Sequence, residues 1–264
     1  MGLFLRAMPY HLPMSSSESE ARRIEELLLN ATQPAQQLQY DGWLLRLAHN
    51  DVKRASSINP AFGSTLPLEE KIEHCERVYG ENGMPPLYRL SDLSKPASLD
   101  AELERRGYGR FERSLVKSMP LGAPLPPTRT DLRFEQPQLD RWLDLVSAMR
   151  GLTPERQRAE RERLFESTLP GFAVVAWLGD EAVACGLVMI EEDYAGLFDL
   201  ATLKGHRREG IGLATCVHLL HLARQRGAER AWLSVVADNA PALRLYEKLG
   251  FAPVYDYWYR VRHS

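Results

Sequence analysis

The sequence predicts an α/β fold of the α+β type, with helices that flank a mixed sheet. Two observations predict it. First, residues 172–178 and 182–190 are strand-like apolar runs joined by a Gly-Asp-Glu hairpin signal. Second, at 198–220 and again at 233–251, an apolar strand passes through a short turn into an amphipathic helix. Such strand pairs and strand–turn–helix units build a sheet that is covered by helices.

The elements after residue 130 follow from their apolar periodicity, which distinguishes strands from helices. The helix from Ile211 ends at Gly227, and Arg224 and Arg226 in its last turns complement the helix dipole. The predicted order is a strand at 131–135, helices at 137–149 and 154–167, strands at 172–178, 182–190 and 194–203, the helix from 211, a strand at 231–236, a helix that contains Tyr246 and a strand at 254–261.

A weaker version of the same pattern precedes residue 120. Arg46 and Arg54 lie on its first two strands, and we interpret them as solvated strand charges, with contact to an anionic acceptor as the alternative. The predicted elements are paired strands at 42–48 and 53–59, a helix at 68–79, a strand at 87–90, a helix that ends near 107 and a strand at 111–116.

Four prolines separate the two halves. They cannot continue a helix or an internal strand, so they predict an extended, semi-rigid linker: Pro120, Pro124, Pro126 and Pro127. Residues 15–20 are a low-complexity Ser/Glu run, and Met14 could be the natural start. The predicted organisation is a disordered leader at 1–20, an N-terminal domain at 21–119, the linker at 120–130 and a C-terminal domain at 131–264.

Composition argues against several classes of protein. The 33 basic and 35 acidic residues nearly balance, so the overall charge does not favour nucleic acid or a membrane surface. No apolar run approaches the length of a membrane span, and charge interrupts the first apolar stretch before a signal peptide could form. Three cysteines without a Cys-x-x-Cys pair indicate a reducing compartment. We expect a cytoplasmic protein that binds neither nucleic acid nor membrane.

An Arg-x-x-Gly-x-Gly turn, formed by Arg207, Gly210 and Gly212, stands where a strand leads into a helix. The start of a helix presents unpaired N–H groups and the positive end of its dipole, and glycines let an anion approach closely. The sequence lacks the P-loop motif, and the dinucleotide fingerprint fails at Thr215, where a third glycine is needed. The turn suits a pyrophosphate, or it is only a structural helix start.

The second strand–turn–helix unit has clear boundaries. Asp238 or Asn239 can cap its helix, Pro241 is tolerated in a first turn, and Gly250 suits the left-handed residue after a helix. The segment from Asn239 to Phe251 reads Asn-x-x-Ala-x-x-Leu-Tyr-x-x-Leu-Gly-Phe.

With both motifs in this order, the chain resembles the GNAT superfamily of acyl-CoA-dependent N-acyltransferases. The glycine turn resembles that family's pyrophosphate-binding motif, and residues 239–251 resemble its second signature. The resemblance covers roughly residues 130–264, and one departure is Lys204, where many members have proline. It implies the GNAT fold, a mixed and mostly antiparallel sheet flanked by helices.

The same resemblance implies a tandem protein with a degenerate GNAT-like half at 21–119 and a catalytic GNAT domain at 131–264. Aligning Gly107 with Gly250 puts Leu103 where the C-terminal copy has Tyr246, and the N-terminal half has no Arg-x-x-Gly-x-Gly turn. A segment from about residue 128 onward would then keep cofactor binding by itself. The alternative is an unrelated α+β domain with a similar last helix and strand.

Carried over to this chain, the resemblance implies acetyl-CoA as cosubstrate. In the family, the strand before the turn is splayed from its neighbour, so its backbone binds the pantetheine arm and the thioester oxygen. We expect Thr202 N–H at that oxygen. Asn239 binds the pantetheine or only caps its helix. The implied cofactor-binding set is Leu200, Ala201, Thr202, Arg207, Arg208, Glu209, Gly210, Ile211, Gly212, Asn239, Ala242 and Tyr246.

Acetyl transfer also needs groups that move protons. Tyr246 is the expected general acid, because a phenol pKa of about 10 and a thiol pKa of about 8.5 differ little, and its alternative role is packing. Asp199 and Glu192 are candidate bases, since an acidic site attracts a protonated amine. Solvation explains Glu192 equally well, and Asp199 could be a paired strand residue. His218 and His221 have no third ligand nearby in sequence, so no metal site is predicted.

The expected function is transfer of an acetyl group from acetyl-CoA to a primary amine by direct attack, in a monomer or a homodimer. The acceptor would be a small-molecule amine or a peptide N-terminus. The alternative is a non-catalytic acyl-CoA-binding sensor or a scaffold. Tyr246 favours an enzyme, because binding alone needs no proton donor at that position.

Overall fold

The computed structural model describes residues 16–48, 50, 52–165 and 167–262. Its helices are α1 (Ser16–Asn30), α2 (Leu68–Glu81), α3 (Leu99–Arg105), α4 (Leu139–Arg150), α5 (Pro154–Phe165), α6 (Ile211–Gln225) and α7 (Ala240–Leu249). Its strands are β1 (Gln36–Tyr40), β2 (Trp43–Leu47), β3 (Ile58–Asn59), β4 (Leu87–Ser91), β5 (Gly109–Pro120), β6 (Arg133–Glu135), β7 (Gly171–Leu178), β8 (Glu181–Glu191), β9 (Tyr194–Thr202), β10 (Arg230–Val236) and β11 (Ala252–Val261).

These strands form one sheet in the order β1-β2-β3-β4-β11-β5-β10-β9-β8-β7-β6. Among the described strands, the pairs β3–β4 and β9–β10 are parallel and the other neighbours are antiparallel. The predicted mixed and mostly antiparallel sheet is therefore confirmed. The parallel pairs matter for function, because ligands bind where parallel strands of such a sheet part at their carboxyl ends.

Strand β5 precedes the proline-rich segment in sequence but lies inside the sheet of the C-terminal half. It pairs with β10 from Pro120↔Arg230 to Ser114↔Val236, and its other edge pairs with β11. The N-terminal half thus supplies the strand between β10 and β11. One sheet runs across the predicted domain boundary, while residues 121–129 contain neither helix nor strand.

Helices cover both faces of this sheet. Along β11, Tyr257 and Tyr259 pack into a core with α1 and α4, whereas Trp258 between them packs into a core with α2 and α3. This alternation is what a strand buried on both faces requires. In the C-terminal half, α6 and α7 share a third core on the face opposite α4. None of the described helices is both long and apolar enough to cross a membrane.

Helix α1 corrects the prediction of a disordered leader for residues 16–20, which form its first turns. Buried Ile24, Leu27 and Leu28 recur at helical spacing, so this helix has a core-facing side. The Ser/Glu-rich run is its polar beginning, and its low complexity concealed the periodicity. Residues 1–15 of the predicted leader lie outside the described residues.

The predicted strand at 53–59 is wrong in its first part. Lys53–Ala55 form a 3₁₀ turn, and the strand β3 is confined to Ile58–Asn59. Strand β2 pairs with β3 on one edge and with β1 on the other. Sequence analysis missed β1 because its five residues are mostly exposed and show no apolar alternation.

Candidate active site

The Arg-x-x-Gly-x-Gly turn begins α6, as predicted. Arg208 has a φ of 69° and Gly210 a φ of 79°, and α6 starts at Ile211. Where right-handed and left-handed backbone conformations alternate, successive N–H groups point into one concavity. Such a concavity binds anions. The first N–H groups of an α-helix also lack partners within the helix. The backbone of this turn can therefore receive a phosphate.

Two contacts hold the turn in place. A Cβ on Gly212 would lie 3.1 Å from Thr202 Oγ1 and 3.5 Å from Leu245 Cδ1, so glycine lets α6 start directly against β9 and α7. Arg129 Nη1 donates a hydrogen bond of 2.5 Å to the Glu209 carbonyl. Sequence analysis missed Arg129, because a contact across 80 residues leaves no local pattern.

Beside the turn, β9 and β10 part. Their parallel pairing ends at Leu197 and Leu233, although β9 continues to Thr202 and β10 to Val236. Asp199, with a φ of 51°, forms a bulge in β9, which bends a strand away from its partner. We call the resulting opening the wedge. Its β9 side carries backbone groups that have no partner on β10.

Helix α7 closes one face of the wedge. The side chains of Leu200, Ala242 and Tyr246 pack against the core shared with α6. Asn239 Oδ1 accepts a hydrogen bond of 3.2 Å from the Ala242 N–H, which confirms the predicted cap. Gly250, with a φ of 91°, ends the helix as predicted. The structure thus gathers the residues of β9, the turn and α7 at one opening.

Tyr246 is half-buried beside this opening, and its ring meets Phe251 edge-on with centroids 5.7 Å apart. Burial raises the pKa of Tyr246 well above its usual value, and the Cys216 thiol adds to the rise. Burial also raises the pKa of Cys216 to about 12.

Asp199, a candidate base, is paired with two arginines. Arg150 Nη1 and Arg163 Nη2 donate hydrogen bonds of 2.5 and 2.8 Å to its two carboxylate oxygens. These charge-assisted bonds tie the bulge of β9 to α4 and α5. The geometry favours the alternative role of a paired strand residue.

Glu192, the other candidate base, is separated from the wedge. It lies in the hairpin before β9, whereas the wedge opens after it, and the nine residues of that strand span roughly 30 Å. Its side chain is 72% exposed and pairs with Arg23 at 3.0 Å. The expectation that Glu192 shares a site with Tyr246 is therefore corrected, because strand direction carries the two to opposite ends of the sheet.

The face of the wedge opposite α7 carries a group that sequence analysis missed. The hydroxyls of Ser234, on β10 just beyond its paired part, and Tyr257 lie 2.9 Å apart. Arg54 Nη1 donates to the same Tyr257 hydroxyl at 3.4 Å, and the Arg89 guanidinium lies 3.9 Å from the ring centroid. Burial alone would raise the pKa of Tyr257, but the guanidinium groups of Arg54 and Arg89 outweigh it and lower the pKa to about 8.

Arg46 and Arg54 are not solvated strand charges, so that interpretation is wrong. Arg46 is 1% exposed and donates hydrogen bonds to the carbonyls of Leu29, Thr32 and Arg54. Arg54 reaches Tyr257 on a strand 203 residues later. No local pattern could reveal that contact.

The two histidines of α6 have packing roles. The His218 ring stacks on Phe134 with centroids 4.1 Å apart, and His221 Nε2 lies 3.0 Å from the Pro126 carbonyl. In the part of the chain that the structure describes, no group of three or more His, Cys, Asp or Glu residues could hold a metal ion.

Comparison with known proteins agrees with this geometry. Residues 139–251 match the model of the acetyltransferase (GNAT) family. The chain is 27% identical over 248 residues to the uncharacterized N-acetyltransferase YobR of Bacillus subtilis (strain 168), a match that covers 92% of this chain and 99% of that one. It is also 40% identical over 68 residues to the ribosomal protein bS18-alanine N-acetyltransferase of Escherichia coli (strain K12), covering 26% of this chain and 46% of the relative.

A solved structure shares the fold across both halves. The GCN5-related N-acetyltransferase from Kribbella flavida has a TM-score of 0.71 at 18% identity, and the match covers 96% of this chain and 97% of that one. The family match, the two N-acetyltransferase relatives and the glycine turn beside splayed parallel strands lead to one conclusion: residues 139–251 belong to the acetyltransferase (GNAT) family, and the protein is an acyltransferase enzyme.

Proposed function

We propose that the protein is an acetyl-CoA-dependent N-acetyltransferase that acetylates a primary amine by direct attack. The observation that carries this proposal is the wedge between β9 and β10 beside the glycine turn. The turn offers N–H groups for a pyrophosphate, and the wedge offers unpaired strand backbone for an extended arm. Tyr246 stands beside the wedge as a proton donor.

The residues of the turn fit the cofactor. The turn receives the pyrophosphate through backbone N–H groups of residues 208–212, and the exposed side chains of Arg207 and Arg208 add positive charge. A Cβ on Gly210 would meet Arg129 Nη1 at 3.9 Å and no closer atom, so a bulky anion has room. Acetyl-CoA supplies an acyl group activated as a thioester.

Chain residues then serve the reacting atoms. Leu200, Ala201 and Thr202 align the arm, and Thr202 N–H donates to the thioester carbonyl oxygen as it gains negative charge. The amine nitrogen forms the new C–N bond, the C–S bond breaks, and Tyr246 gives its proton to the departing sulfur. Because Asp199 is paired with arginines and Glu192 is distant, the amine loses its proton to water.

The N-terminal half is, in this proposal, a degenerate GNAT copy. Strands β3 and β4 are parallel, as β9 and β10 are, and pair at Ile58↔Tyr88. Where the active copy has its glycine turn, the Asp41 carboxylate accepts the N–H groups of Thr65 and Leu66 at 3.0 Å. A carboxylate that occupies these donors would repel a phosphate, which supports a half without cofactor.

An acetylation assay tests the proposed function. The full chain is incubated with acetyl-CoA and a panel of amines, with release of free thiol as the readout and calorimetry as a separate measure of CoA binding. We expect CoA binding and amine-dependent thiol release. CoA binding without transfer to any amine would instead support an acyl-CoA sensor, and no CoA binding would support a scaffold.

A further inference from the structure

A surplus of buried positive charge lies behind β11, on the face of the wedge opposite α7. Arg46 of β2 and Arg89 of β4 are buried, and Arg54 of the 3₁₀ turn is half-buried. The three lie together, since Arg46 donates to the Arg54 carbonyl and both Arg54 and Arg89 contact Tyr257. The carboxylate that faces them is Glu25 of α1. A buried charge needs a counter-charge or full hydrogen bonding to be stable.

Two of the three arginines have such partners. Arg89 binds both carboxylate oxygens of Glu25, whose Oε2 also accepts a hydrogen bond of 2.5 Å from the Tyr255 hydroxyl. Arg46 donates three hydrogen bonds to backbone carbonyls. Both oxygens of Glu25 are therefore already engaged by Arg89, and one of them by Tyr255 as well.

Arg54 is the exception. Its guanidinium donates one side-chain hydrogen bond, of 3.4 Å, to the Tyr257 hydroxyl, and its Nε is buried without a hydrogen-bond partner, as are those of Arg46 and Arg89. Among the described residues, no carboxylate lies within ion-pair distance of its guanidinium. The neighbouring Lys53 does not share this state, because it pairs with Glu112. Arg54 therefore has no anionic partner among the described residues.

Arg54 is also tied to the wedge. Its guanidinium is one hydrogen bond of 3.4 Å from the Tyr257 hydroxyl, which is one hydrogen bond of 2.9 Å from Ser234 Oγ. Ser234 stands where β10 has just parted from β9 and is half-buried. Two groups bound at Arg54 and at Ser234 would be only a few ångströms apart, which is the size of a single amino acid.

The remaining charges on this face do not cancel the surplus. Asp199 is paired with Arg150 and Arg163, and Glu160 accepts hydrogen bonds from Arg156 and Arg163. The expected acidic site for a protonated amine is therefore absent among these described residues. The electrostatic field on the face of the wedge opposite α7 therefore favours an anion.

We propose that the acceptor is a primary amine that also carries a carboxylate, such as a free amino acid, and that Arg54 binds this carboxylate while the amine lies at the Ser234 end of the wedge. The inference rests on the proposed N-acetyltransferase function and names its acceptor class. A guanidinium suits this task, because its planar donors match the two oxygens of a carboxylate. In a peptide N-terminus, a backbone amide replaces the α-carboxylate.

Matched acceptors test the inference. The full chain is assayed with acetyl-CoA and the nineteen common amino acids that carry a primary α-amine, with the amide of each and with the decarboxylated amine of each. We expect the acids to have the higher kcat/KM. In Arg54→Gln, KM for an acid should rise roughly ten- to hundredfold, the loss of one charged hydrogen-bonded contact, while KM for its amide and for acetyl-CoA changes little. Arg54→Lys should restore part of the loss.

Lys53→Gln is the matched control, because it removes a positive charge next to Arg54 that Glu112 already pairs. It should leave the preference for acids unchanged. A retained affinity for CoA in calorimetry shows that each variant is folded. Equal or better use of amides and amines by the wild-type chain would overturn the carboxylate site and leave the N-acetyltransferase function standing. Acetylation of no amine at all would overturn the function, and the inference with it.

Discussion

Leu115 of β5 lies opposite Val235 of β10, so a strand that precedes the proline-rich segment forms part of the wall of the wedge. At this point β10 has already lost its parallel partner β9. Strand β5 is the neighbour that keeps the end of β10 in the sheet. Through it, the N-terminal half positions Ser234 at the wedge, whatever chemistry that half has itself.

This pairing changes what we expect of a truncated chain. A segment of residues 128–264 lacks β5, which leaves facing edges of β10 and β11 with unpaired backbone groups. We expect this segment to aggregate or remain unfolded and to bind no CoA. The matched control is the full chain cut in the exposed stretch near Gly122, whose two pieces should stay together in gel filtration and keep CoA affinity in calorimetry. A folded 128–264 segment with full affinity would contradict this expectation.

The turn gives a second prediction. Gly212→Asp and Gly212→Asn both place a Cβ about 3.1 Å from Thr202 Oγ1, but only the aspartate adds negative charge at the phosphate site. We expect Kd for CoA to rise on the order of tenfold for Asn and a hundredfold or more for Asp, as each tenfold step corresponds to about 1.4 kcal/mol. Gly205→Asn is the control, because a Cβ there meets nothing within 4 Å. Wild-type affinity in Gly212→Asp would remove the turn as the pyrophosphate site.

The elements that sequence predicted well are those with local signals. Asn239 caps α7 and Gly250 ends it as expected, because caps depend on residues a few positions away. The wedge was harder to predict from the sequence, because it depends on which strands become neighbours in the sheet. The contact of Arg54 with Tyr257 and the pairing of Asp199 with arginines from two helices arise only after the sheet is assembled. For this reason, the prediction that the charged residues of these strands are solvated was wrong.

Tyr257 gives a prediction for pH. Its pKa of about 8 lies below that of an ordinary phenol, so phenolate absorbance should show a step with a midpoint near pH 8. Arg54→Gln should move this step upward, because the phenolate loses a nearby cation. The step should vanish in Tyr257→Phe and persist in Tyr259→Phe, since burial raises the pKa of Tyr259.

The lowered pKa of Tyr257 also makes the stability of the fold depend on pH. An unfolded tyrosine has a pKa of about 10, so between about pH 8 and 10 the unfolded chain binds a proton that folded Tyr257 has released. Its contribution to the free energy of unfolding is therefore zero below that window and grows as pH rises through it. A wild-type titration without any step below about pH 9 would contradict the influence of Arg54 and Arg89 on Tyr257.

Tyr246→Phe tests the general acid. The variant keeps the ring that packs near Phe251 and removes the hydroxyl, so CoA affinity should change little. Loss of a positioned acid slows a reaction on the order of 10²–10⁴-fold, so kcat should fall by about that much under conditions where chemistry limits the rate. Because the pKa of Tyr246 is raised, the wild type should keep its activity to high pH. Tyr194→Phe, at the far end of β9, is the control. A Tyr246→Phe variant with near-wild-type kcat would make the residue a packing group.

Asp199→Asn tests whether the Asp199 carboxylate has a structural role or is the catalytic base. The substitution keeps the shape of the side chain but removes the negative charge that pairs with Arg150 and Arg163 at the bulge of β9, so that Arg163 keeps only Glu160. Leaving a charged donor without its hydrogen-bond acceptor costs about 1–3 kcal/mol. The free energy of unfolding in urea should therefore fall by about that amount. The shape of the pH–rate profile should stay as in the wild type, because water takes the amine proton. Asp140→Asn, which breaks an exposed pair with Arg161, should have little effect on stability. A variant with wild-type stability whose activity no longer depends on pH would return Asp199 to the role of base.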